Sequence, residues 1–150
     1  MSRITEVKWA SGARFKVAAE DARECLESIR NKNSGLITAD AVVAEAEEKD
    51  CPIHEEFEWD DSIAAHEHRL ETARALTRSI RVVREEAPNV SGRQYEVQVV
   101  PSEEAEERGI PARSYRTTED ILKDPIERDR LIGRALRELA AFRERYAGIS

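Results

Sequence analysis

Cysteine is scarce in this chain of 150 residues, with only Cys25 and Cys51. Two thiols are too few for a disulfide framework, so a reducing compartment is expected. Long apolar runs are missing too. No stretch approaches the ~18 residues of a membrane span, and the N-terminus has no apolar signal segment. Aromatic residues make up only 5%, which leaves a modest, mostly aliphatic core. Excess positive charge is also absent. The formal net charge is -7, which argues against a general polyanion binder but leaves room for a local basic face. No glycine-rich phosphate loop, nucleophile elbow or Cys/His dyad is present, so no catalytic residues and no cofactor are assigned.

What the chain has is charge, 37% of residues. Among its basic residues 19 are arginine and 5 lysine, which reflects a GC-rich coding sequence before any function. The length suits one domain over 1–150 that buries roughly two thirds of its unfolded surface.

Hydrophobic periodicity sets out the elements. Glu6-Val7-Lys8-Trp9 and Arg14-Phe15-Lys16-Val17 alternate around Ser11-Gly12 and predict a short hairpin. Ala22, Cys25, Leu26 and Ile29 predict a helix over 20–31, ended by Asn33-Ser34-Gly35. Thr38 caps a second helix carrying Val42, Val43 and Ala46. These two helices and their glycine-containing link have the outline of a helix-turn-helix, and equally of ordinary helical packing.

Phe57-Glu58-Trp59-Asp60-Asp61 then reads as a structural helix start. Phe57 and Trp59 form an aromatic plug, and Asp60 or Asp61 caps a helix over 62–80. Its expected inner stripe is Ile63, His66, Leu70, Ala73, Thr77 and Ile80, with Leu76 beside it. On that stripe His66 reads as a core histidine, and His68 as exposed. Arg81–Arg84 and Tyr95–Val99 predict the clearest hairpin, at about 80–100, joined by 88–92, with Tyr95, Val97 and Val99 inward. Residues 102–109 read as an acidic loop. Tyr115 reads as a short strand and 118–123 as a small helix. Asp124-Pro125-Ile126-Glu127 opens a long last helix with the stripe Ile132, Ala135, Leu139, Phe142 and Tyr146. The fold class is therefore α+β, a mostly helical single domain with a small antiparallel sheet and a long C-terminal helix.

Three clusters carry candidate chemistry. Cys51-Pro52-Ile53-His54, with His66 or His68, has zinc-ligand types. But two residues on a helix diverge by about 200°, so His66 and His68 cannot share an ion, and a ligand is missing. No metal site is assigned. The acids from Glu55 to Asp61 lack calcium-loop spacing and read as capping and solvated surface. Arg74, Arg78 and Arg81 cluster on a helical wheel, Arg84 extends the run, and no acid interrupts it. This stripe is the candidate nucleic-acid contact, tracking phosphates. Against it stands ordinary pairing with acids such as Glu71. The mixed charges of the last helix suit a homodimer contact better than a polyanion groove.

Several landmarks together resemble a family of small proteins of tailed phages and prophages. They are Phe15-Lys16-Val17, Gly35-Leu36 with Thr38, Pro52-Ile53-His54, the FEWDD box at 57–61, Arg69-Leu70, Ala73-Arg74-Ala75-Leu76, Arg78-Ser79-Ile80 and Tyr115-Arg116. Two positions depart from the pattern, Cys51 for serine and Thr77 for an apolar residue. The resemblance implies a phage origin, hence the cytoplasm of a bacterial host, and no catalytic residues. The expectation is a non-enzymatic accessory protein that binds a macromolecular partner, DNA or a DNA-processing complex. The alternative is a structural or host-modulating protein that contacts protein. A small metal-dependent enzyme comes third.

Overall fold

The computed structural model describes residues 3–149. The protein is α+β, with six α-helices and two small antiparallel sheets among the described residues. Two compact units follow one another, the first ending at Thr117 and the second starting at Thr118.

In the first unit, β1 (Ile4–Trp9) precedes α1 (Ala19–Lys32) and α2 (Ala39–Ala46). Residues 14–17 do not form the expected second strand of a hairpin. β1 pairs instead with β2 (Ile80–Arg84), a partner more than 70 residues away. The 14–17 segment packs on β1 through side chains. Trp9 Nε1 donates to the Val17 carbonyl at 2.9 Å, and the Trp9 and Phe15 rings lie 4.6 Å apart.

α1 ends as its sequence dictates. The Gly35 amide reaches back to the Arg30 carbonyl at 2.9 Å, with Ser34 and Gly35 at φ of 53° and 90°. Thr38 caps α2 by accepting from the Ala41 amide at 3.1 Å. Ala22, Cys25, Leu26, Ile29, Val42, Val43 and Ala46 are all buried. They form one core with Ile37, Ile53, Phe57, Leu70, Ala73, Leu76, Ile80, Tyr95 and Tyr115.

α3 (His66–Ser79) runs directly into β2. The expected hairpin of 81–84 with 95–99 is corrected. β2 turns at Glu85-Glu86 and pairs with β3 (Ala87–Arg93), giving a three-stranded sheet in the order β1-β2-β3. β4 (Tyr95–Val99) forms a second sheet with β5 (Arg113–Thr117). The turn-forming residues at 88–92 are thus part of an edge strand, exposed along its whole length. An edge accommodates Pro88 because its missing amide has no ladder to serve. Tyr95 and Val97 pack on the core, but Val99 is exposed, a second correction. Residues 102–108 form α4 (Ser102–Arg108) rather than a loop, closed by Gly109 at φ 64°.

The second unit holds α5 (Thr118–Lys123) and α6 (Pro125–Arg145). Asp124 caps α6, accepting from the Ile126 and Glu127 amides at 3.2 and 3.4 Å, with Pro125 in the first position. Glu127 is buried and pairs with Arg130 at 2.8 Å.

Candidate functional site

The FEWDD segment is built differently from a helix cap. α3 begins at His66, and its N-cap is Ala65, with no side-chain hydrogen bond. Asp60 instead holds a local turn. The Ser62 amide and hydroxyl donate to its Oδ1 at 2.9 and 2.6 Å. Those bonds, the hydroxyl's first, hold the Asp60 carboxyl below its usual range. Asp61 is an ion-pair partner of Arg69.

The aromatic plug is present. Phe57 is buried, and Trp59 lies 5.6 Å from it, centre to centre, and 5.2 Å from His54, onto which it stacks. Trp59 Nε1 donates to the His54 carbonyl at 2.9 Å. The residue that organises the box is Arg69, buried on α3. Its Nε donates to the Glu58 carbonyl at 2.7 Å and its guanidinium lies 5.3 Å from the Trp59 ring centre. In sequence it belongs to the Arg69-Leu70 landmark, and nothing local marks it as buried.

His66 is not a core residue. It is exposed, with Nε2 3.6 Å from Asp40 Oδ1, because the helix starts later than the stripe implied and Ile63 falls outside it, 70% exposed. His68 is exposed. His54 Nδ1 lies 2.6 Å from the Ala46 carbonyl, and Cys51 Sγ lies 3.5 Å from Cys25 Sγ. Burial first, and then Cys51, push the Cys25 thiol up to about 12. Among the described residues no three His, Cys, Asp or Glu side chains gather to hold a metal ion. Nor is any described helix long and apolar enough to cross a membrane.

The four candidate arginines do not share one helical face. Arg74 and Arg78 lie one turn apart on α3, while Arg81 and Arg84 belong to β2. Arg74 pairs with Glu71, and Arg81 donates to the Arg78 carbonyl at 2.6 Å. The sheet register assembles a different cationic row that no helical wheel predicts. Lys8, Arg81 and Arg93 are direct cross-strand neighbours on β1, β2 and β3. Burial, and then the Arg93 charge, lower the Arg81 pKa, with Glu96 opposing.

α6 carries the largest apolar exposure. Ile132, Leu136, Leu139, Phe142 and Tyr146 are 46, 61, 53, 53 and 45% exposed. At 100° per residue they span about 120° of one face. No family model, no curated protein and no solved structure matches the chain.

Proposed function

We propose that the chain is a non-enzymatic accessory protein of a tailed phage or prophage, working in the host cytoplasm by binding a macromolecular partner. The apolar face of α6 is the contact, and its occupant is α6 of a second copy. The observation that carries this reading is the run of five large apolar side chains, each about half exposed, along one helix. A helix normally hides such a stripe against something. Ile132, Leu136, Leu139 and Tyr146 recur at spacings of four, three and seven, which is a self-complementary seam. Arginines and acids alternate along the same helix, so two copies meet without a single-sign clash. The six residues of α5 and the 21 of α6 are too few to enclose a core by themselves, and association is the usual remedy at that size.

The test is the mass of the full chain in solution by sedimentation. A dimer is expected at micromolar concentration, and Leu136→Glu with Leu139→Glu should return a monomer whose first unit still melts cooperatively. A monomeric wild type at ~100 µM sinks the reading.

DNA is the second reading, supported by the Lys8–Arg81–Arg93 row beside the exposed Arg78. Arg74 and Arg84, the other members of the sequence stripe, flank it on α3 and β2. Reversing the charge of Arg78 and Arg81 should weaken binding to a labelled duplex at low salt and flatten its salt dependence. Unchanged binding, or none in the wild type, removes DNA as the partner.

A further inference from the structure

We propose that the first unit holds a site for a small phosphate-bearing anion, where the first turn of α2 faces the start of β5. A cavity of about 290 Å³ lies there, lined among others by Thr38, Asp40, Arg74, Arg113 and Ser114.

The backbone explains why these residues converge. An isolated antiparallel bridge joins Ile37 to Tyr115, with the Tyr115 amide donating to the Ile37 carbonyl at 2.6 Å and the Ile37 amide returning a bond at 2.8 Å. Thr38 and Ser114 follow directly on that bridge, and both line the cavity together with Ala39 and Arg113. Thr38 turns its hydroxyl to the α2 helix start, where it accepts from the Ala41 amide. Ser114 is 1% exposed, and its Oγ has no hydrogen-bond partner. A buried hydroxyl without a partner is costly unless a ligand completes it.

The charges fit an anion. Arg113 approaches from β5, and Arg74, which also pairs with Glu71, from α3. The α2 start adds the positive end of a helix dipole and amides that no helical carbonyl reaches. Asp40 opposes the anion, but its side chain is 80% exposed and lies 3.6 Å from His66 Nε2, at the mouth rather than the back. The volume is at the lower limit for organic ligands, which restricts the occupant to a phosphate ion or a small phosphate monoester. This site is independent of the α6 contact and of the Lys8–Arg81–Arg93 row.

The experiment is amide NMR of the full chain titrated with inorganic phosphate or glycerol phosphate, at constant ionic strength set with chloride. Saturable shifts are expected at Ala39, Asp40 and Ser114, with millimolar affinity. Saturation by both ligands assigns a site open to monoesters, and saturation by inorganic phosphate alone assigns the free ion. Arg113→Gln should weaken binding about tenfold, the effect of losing one charge-assisted bond. Asp40→Asn should tighten it several-fold, an improvement that a purely structural role would not give. The site is overturned if the shifts fail to saturate by about 50 mM, if chloride alone reproduces them, or if Arg113→Gln binds like the wild type.

Discussion

The Arg69 guanidinium lies 5.3 Å from the centre of the Trp59 ring while its Nε holds the Glu58 carbonyl. One buried cation therefore fastens the aromatic segment to α3. Arg69→Met should cost about 2–3 kcal/mol, because it removes a cation–ring contact and leaves a carbonyl without its donor. Asp61→Asn should cost under about 1 kcal/mol, since that carboxylate is 83% exposed and solvent screens it. Urea unfolding of the two variants checks the order, and equal losses would mean the ion pair dominates.

The turn after α1 contains its own test. Ser34 sits at φ 53°, a left-handed conformation that costs a residue with a Cβ. Ser34→Gly should relieve that strain, offset in part by greater freedom of the unfolded chain. A net gain of about 0.5 kcal/mol is expected in the unfolding free energy.

Alkaline pH should weaken the fold. The Cys25 thiol titrates at about 12 in place of 9.0, and Tyr95 is also raised, by burial first and then by the Glu27 carboxylate it bonds. For both groups the folded pKa lies above the unfolded one. The contribution of Cys25 is whole below pH 9 and is lost as pH rises from about 9 towards 12, and that of Tyr95 starts to be lost above about pH 10. The urea midpoint should fall over that range, and Cys25→Ala should fall less steeply.

At the other end of the chain, Asp124→Ala should cost about 1 kcal/mol, by leaving the Ile126 and Glu127 amides without their acceptor. Circular dichroism of the helical signal on heating reads the change.

What could be read from sequence was what the sequence decides locally. Thr38, Gly35 and the Asp124-Pro125 pair mark their helix ends because each acts within five residues of itself. The strand pairings could not be read that way. The pattern of Val82 and Val83 predicts a strand, but their partners on β1 lie more than 70 residues away. Glu85-Glu86 makes the turn without a glycine or proline, whereas Pro88, Asn89 and Gly92 sit in an edge strand. Asp60 and Asp61 resembled a cap because two acids before an apolar pattern often are one. Arg69 draws Asp61 aside, and the helix begins five residues later. The exposed stripe of α6 was legible as a stripe, but nothing in its spacing showed that it would be left uncovered. The proposed phosphate pocket depends on the Ile37–Tyr115 bridge, which brings together residues 78 apart in sequence with no local signal.

The outer strand β3 has a further effect. Its register with β2 slips between Arg84–Ala87 and Val83–Ser91, and Pro88 falls within the slip. An incoming strand would find a broken row of donors and acceptors there, and only the short run from Ser91 to Arg93 to lie against. Concentrating the protein should therefore not drive it to grow fibres from this rim.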